Sequence, residues 1–242
     1  MQNYLIVLSY DGTDYHGWQQ QPGKRTIQGA VQAALSRLAG TDIGIIGAGR
    51  TDAGVHALGQ AASFKAALAL SDEESHKALN AILPPDIRIG ELHRVPASFH
   101  ALRDAKGKVY RYRIRLDRQI SPFDLRYCLH WPYPVRVGRM RRAAAEFVRE
   151  ADFSSFSSNR ERHPVRAVTR SEIHRHGREI VYTIEAKGFL RYMVRTIVGT
   201  LLEVGRGRLE PEAIDALFVG KARSLASPTA PAHGLCLEKV IY

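Results

Sequence analysis

Cysteine is scarce in this 242-residue chain: Cys128 and Cys236 are the only two, far apart and without a C-x-x-C spacing. That excludes a disulfide framework and a thiolate metal centre, and it suits a reducing cytoplasm. No apolar run approaches the length of a bilayer span. Met1-Gln2-Asn3-Tyr4 does not open a charged start followed by a long apolar stretch, so neither secretion nor membrane insertion is expected. The ten histidines are scattered with no ligand spacing, and no metal is expected. They read mostly as surface or core fillers, and the two tryptophans, Trp18 and Trp131, read as core residues. With 45% hydrophobic residues the chain can bury a core without covalent staples.

Acidic residues are outnumbered, but only in part of the chain. The formal net charge is +11. Residues 1–100 hold 8 Lys and Arg against 9 Asp and Glu, which leaves 27 and 15 for residues 101–242. A basic second half points to a polyanionic partner; a solvated surface that serves solubility is the plainer reading.

The hydrophobic patterning describes an α+β chain. In the first half, Tyr4–Tyr10 reads as a strand closed by the turn Asp11-Gly12-Thr13-Asp14. Thr26 caps a helix with Ile27, Val31, Ala34, Leu35 and Leu38 on one face, and Gly40 stops it. A short strand spans Ile43–Ala48. Ser71 and Glu74 form a capping box for a helix that runs to about Leu83, before Pro84-Pro85. The second half opens with strand Lys108–Leu116, followed by a helix over about Arg139–Glu150 with Met140, Ala144, Phe147 and Val148 inward. Strands Val168–Arg175 and Glu179–Lys187 flank a His176-Gly177 turn. A long helix over Leu190–Val204 ends at Gly205, and Pro211 starts a short last helix. We expect two fused lobes of related topology, residues 1–105 and a basic lobe 106–242, across a mixed, largely antiparallel sheet flanked by helices.

The densest local signal is Gly47-Ala48-Gly49-Arg50-Thr51-Asp52-Ala53-Gly54-Val55-His56. A dinucleotide fingerprint fails because Asp52 stands where the third glycine belongs, and a P-loop fails for want of Gly-Lys-Ser/Thr. Composition by itself equally describes a surface turn in which Asp52 caps the next element and Arg50 is solvated. Against that, the small neighbours let another backbone come close to the carboxylate. An arginine two positions earlier favours its ionised, nucleophilic form.

That block, with Tyr10-Asp11-Gly12-Thr13, Gly17-Trp18-Gln19, Phe99-His100-Ala101, Tyr110-Arg111-Tyr112, Phe189-Leu190, Met193-Val194-Arg195 and His233-Gly234-Leu235, resembles the TruA family of tRNA pseudouridine synthases. The resemblance spans nearly the whole chain. It implies the pseudouridine synthase fold, with an active-site cleft between the lobes. It also implies isomerisation of uridine in the tRNA anticodon stem-loop, at positions 38, 39 and 40, by a homodimer without metal or other cofactor. Asp52 matches the catalytic aspartate, Tyr110 the active-site tyrosine, and Arg50 and Arg195 the two active-site arginines, which would hold Asp52 ionised and the nucleotide in place. Leu102 and Thr196 depart from the arginine and asparagine common at those positions, which bears on RNA contacts rather than on chemistry.

Read from the residues alone, Tyr110 is a core tyrosine on the strand face it shares with Tyr112, Ile114 and Leu116. Arg111, Arg113 and Arg115 line the other face, most simply as solvated side chains. Arg195 borders the apolar stripe of its helix, where a guanidinium calls for an anion. Arg160, Arg162 and Arg166, in an aperiodic stretch around Pro164, are candidate phosphate contacts, with a solvated loop as the alternative. Two other functions compete. One is a non-catalytic RNA-binding protein, against which stands the absence of an RNP1-like aromatic run. The other is a nucleoside hydrolase, which would need a second acid that the Asp52 block lacks.

Overall fold

The computed structural model describes residues 1–159 and 162–242. Strands β1 (Gln2–Tyr10), β2 (Ile45–Gly47), β3 (His56–Ala66) and β4 (Ile87–Val95) alternate with helices α1 (Ile27–Ala39) and α2 (Asp72–Ile82). There follow β5 (Gly107–Arg115), β6 (Leu129–His130), α3 (Val137–Ala145), β7 (Glu150–Asp152), β8 (Val165–His176) and β9 (Glu179–Ala186). Helices α4 (Met193–Arg206) and α5 (Ala213–Gly220) and strand β10 (Leu235–Ile241) complete the chain. Two compact units result: Met1–Lys106 with Cys236–Tyr242, and Gly107–Leu235. The chain is α+β, its strands mostly antiparallel and accompanied by helices.

In the first unit the strand order is β4-β1-β3-β10, with β2 also on β3. β1 and β3 are antiparallel, with Tyr4 opposite Phe64 and their rings stacked at 5.3 Å. β10 runs parallel to β3, Cys236 opposite His56. The helix signals hold: Thr26 accepts from Gly29 N, Gly40 turns left-handed at φ 68°, and Ser71 with Glu74 makes the capping box. Strands β3, β4 and β10 go beyond the expected elements. β3 has no β-branched residue, carries Ala57, Ala61, Ala62 and Ala66, and is buried on both faces, so it shows neither the composition nor the alternation that marks a strand.

The second unit orders its strands β5-β9-β8-β7, with β6 parallel to β5. The β8–β9 hairpin turns at Gly177, φ 58°. Phe147, Phe153, Phe156 and Phe218 form the aromatic core of this unit, ring centres 5.1–6.0 Å apart. Three expectations are corrected here. Helix α3 stops at Ala145, because Phe147 N and Val148 N bond three residues back and free Glu150–Asp152 to pair with β8. Val148 is thereby turned outward. Helix α4 begins at Met193, after left-handed Tyr192 at φ 64°, and runs to Gly207 at φ 77°. Gly205 is a packing residue rather than its terminator: a Cβ there would meet Met140 Sδ at 2.7 Å. Trp131 is half-buried, not core, and lies edge-on to Tyr133 with Arg206 over its ring. Among the described residues no helix is long and apolar enough to cross a membrane.

Helix α4 packs closely on the segment after α5, where a Cβ on Gly199 would fall 1.9 Å from Pro228 O. Gly199→Ala is expected to cost about 1–3 kcal/mol, as overpacking against backbone does. A urea unfolding midpoint equal to that of the parent chain would show that the two segments part easily.

Candidate active site

Residues 49–55 form the turn that carries Asp52, and the turn is fixed from below. Val55 N donates to Asp52 O at 3.1 Å, and Gly54 follows the left-handed conformation, φ 77°. Ala48 N donates to Ala61 O at 2.7 Å, and Gln60 Nε2 to Gly49 O at 3.0 Å, tying the incoming chain to β3. The segment after β1 crosses over it. Gly12 and Gly17 let this crossing happen, since a Cβ on Gly12 would lie 2.0 Å from Val55 O and one on Gly17 2.5 Å from Thr51 O. Trp18 N then donates to Thr51 O at 3.0 Å. The Tyr10 and Thr51 hydroxyls bond at 2.8 Å with both residues buried, and burial pushes the Tyr10 hydroxyl well up, so it stays protonated. Gly12 N donates to His56 Nδ1 at 3.1 Å. Asp11 Oδ1 lies 3.2 Å from that same nitrogen, which accepts from Gly12 N when unprotonated and donates to Asp11 when protonated.

The outcome is a half-buried Asp52 on a turn whose neighbours are spoken for. Arg50, exposed beside it, is steadied by donating Nε to Gln19 Oε1 at 3.0 Å. Gln19 Nε2 in turn donates to Gln28 Oε1 at 2.7 Å, and Gln28 Nε2 to Ile45 O at 3.0 Å. Thus two sequence blocks forty residues apart are halves of one device.

Tyr110 and Arg195 lie in the second unit. Tyr110 is buried on β5, with Phe189 edge-on at 5.2 Å. Arg195 is half-buried on α4, its Nε donating to Ala230 O at 2.8 Å while Ala230 N donates to Arg195 O at 3.0 Å. Its guanidinium carbon lies 4.8 Å from the Tyr192 ring centre. Tyr112 donates to Pro231 O at 2.8 Å, and its ring lies against Gly234, where a Cβ would be 2.5 Å away. The His-Gly-Leu tail block is therefore a packing signature around Tyr112. Of the other two arginines on β5 that have partners in view, Arg113 pairs with Glu179 and Arg115 with Asp117. Leu102 is exposed, whereas Thr196 is fully buried with its hydroxyl 3.3 Å from that of Thr229, so its side chain belongs to the core.

Arg160 lies outside the described residues. Arg162 is exposed, and Arg166 is half-buried with Nη1 donating to His163 O and Val165 O, both at 2.7 Å. Two residues of interest escaped the sequence reading: Gln60, a buried amide among alanines, and Lys108, a buried lysine at the start of β5. Only their burial distinguishes them, and burial is not written in a single residue type. Among the described residues no group of three or more His, Cys, Asp or Glu is arranged to hold a metal ion.

A half-buried carboxylate thus stands on a backbone-locked turn with an arginine beside it, in a unit built on a largely antiparallel sheet. The chain matches the family described as tRNA pseudouridine synthase over residues 6–102 and 143–242, and it belongs to that family. The matched residues include Arg50, Asp52 and Arg195 and leave out Tyr110. It is 47% identical over 241 residues to tRNA pseudouridine synthase A of Moorella thermoacetica, covering 98% of each chain. To the proteins of the same description from Thermodesulfovibrio yellowstonii and Geobacillus kaustophilus it is 42% identical, covering 100% of itself and 100% and 95% of them.

Removing one hydroxyl tests how much the turn depends on its underside. Tyr10→Phe leaves the buried Thr51 hydroxyl without its partner and is expected to cost about 1–3 kcal/mol. Thermal melting measures that loss. The idea that Tyr10 supports the Asp52 turn fails if the melting temperature does not move.

Proposed function

We propose that the chain is an isomerase that converts uridine to pseudouridine in tRNA, at positions 38, 39 and 40 of the anticodon stem-loop. It would work in the cytoplasm, as a homodimer and without metal or cofactor. The observation that carries this reading is the locked turn: the backbone around Asp52 is held by Thr51, Gly49 and Val55 contacts before any substrate arrives. A pure binding protein gains little from a preorganised carboxylate; a catalyst gains much, because positioning is settled before the reaction begins.

In this reading the target uridine is flipped from the stack and Asp52 acts at its C1′. The C1′–N1 bond breaks, the uracil turns, C1′ joins C5, and the C5 proton leaves while N1 gains one, so atoms and charge balance. Water must be excluded, or C1′ is captured and an abasic site results. Arg50 and Arg195 hold the flipped nucleotide, and both start from fixed positions, on Gln19 and on Ala230. Tyr110 meets the base, its ring steadied by Phe189, and its hydroxyl assists removal of the C5 proton. Arg160, Arg162 and Arg166 contact phosphates.

Asp52→Asn keeps the shape and removes the nucleophile. Pseudouridine mapping of tRNA treated with the purified variant is expected to show no product, with tRNA binding within about threefold of the parent; turnover above about one per cent would remove Asp52 from this role. Tyr110→Phe separates stacking from proton transfer. A fall in turnover of roughly a hundredfold with binding kept marks the hydroxyl as the working part, since positioned acids and bases contribute on that scale. A parent-like rate would leave Tyr110 as a ring alone.

A further inference from the structure

Among the described residues Lys108 is the one buried lysine, 8% of it accessible at the start of β5, and the proposed chemistry does not use it. Strand alternation puts it on the same face as Tyr110, one step nearer the strand's beginning. Its cross-strand partner on β9 is Ala186, and Ala186 is opposite Val168 on β8. Arg166 precedes Val168 by two residues and so shares that face, beyond the point where β9 ends. The row across the sheet end is therefore a lysine, a methyl group and a valine, with the arginine one step beyond on the same face. Among the described residues no carboxylate faces the Lys108 ammonium: burial and then the Arg166 charge both work against its positive form and lower its pKa. Arg166 has only carbonyl oxygens on its Nη1, from His163 and Val165.

Two cations that feel each other's charge, with no acid between them among the described residues, are costly unless an anion completes the group. We propose that Lys108, with Arg166, forms a binding site for one backbone phosphodiester of the RNA, adjacent to the nucleotide that Tyr110 receives. The anion offsets the cost of burying the lysine's charge and lets its ammonium and the guanidinium donate to non-bridging oxygens. Lys108 is thus a substrate-contacting residue, and Arg166 acts with it rather than as one member of a loose basic loop. This rests on the reading of the chain as an enzyme acting on tRNA at Tyr110, but its test does not require turnover.

The experiment measures equilibrium binding of an anticodon stem-loop RNA across a salt series, for the parent chain and for Lys108→Met, Lys108→Gln and Lys108→Arg. Both neutral variants are expected to bind about tenfold more weakly, with the slope of log K against log salt reduced by about one, the signature of one lost phosphate contact. Lys108→Arg should stay within about threefold of the parent and keep the slope. Thermal melting should show the neutral variants at least as stable as the parent, because each removes a buried charge. Unchanged affinity and slope in the neutral variants would overturn the proposal. So would an equal loss in Lys108→Arg or a large fall in melting temperature in all three, which marks a packing role. If the parent binds the RNA with the expected slope yet forms no pseudouridine, the enzymatic reading fails while the phosphate site stands.

Discussion

The first unit depends on the closeness with which the chain after β1 crosses the Asp52 turn. With Gly12 and Gly17 approaching backbone oxygens at distances no side chain could tolerate, residues 12–18 act as a lid fastened over residues 51–55. Three fixtures of the turn go with that approach: Trp18 reaches Thr51 O, Tyr10 reaches the Thr51 hydroxyl, and Gly12 N reaches His56. The ring of Trp18 is in turn held against Gly47, where a Cβ would lie 2.5 Å away. A carboxylate needs few ligands of its own when its peptide neighbours are immobile, and the cost of ordering it is met in folding rather than in binding.

The second unit reaches the same end by different means. Arg195 sits in the first turn of α4, and that helix is seated on the chain at Pro228–Ala230 by a glycine face and by a pair of opposed hydrogen bonds between Arg195 and Ala230. Left-handed Tyr192 starts the helix and offers its ring to the guanidinium. The helix entrance is thus strained, aromatic and cationic together, which is the kind of local cost that folds retain where a side chain must be aimed.

Much of this was legible in the residues. The caps at Thr26, Gly40 and Ser71 announce α1 and α2 because capping is local chemistry, settled within four positions. The Asp52 turn stood out because Gly47, Gly49 and Gly54 crowd around one acid, where they let another backbone come close to it. What stayed hidden is what depends on distant chain. β3 is alanine-rich, and only the strands and helices around it make it a strand. Gly205 reads as a stop, and it is Met140 that makes it a contact. Thr196 reads as a departure that faces RNA, yet burial turns it to Thr229. Lys108 reads as one basic residue among many in a basic half; its burial beside Arg166 singles it out.

The return of β10 to the first unit has a consequence in time. Residues 236–242 pair beside β3 and supply a Tyr242 hydroxyl to Ala101 O, while Gly59 leaves room for Glu238 O. A ribosome releases the chain from its N-terminus, so β1 to β4 are all in solution while the edge of β3 away from β1 is still open at its His56 end, beside the Asp52 turn. That gap closes only when the last strand emerges, after the whole second unit has been made. Contacts separated by so much chain form slowly. Until then a nascent or truncated chain presents an unfinished sheet edge beside the Asp52 turn.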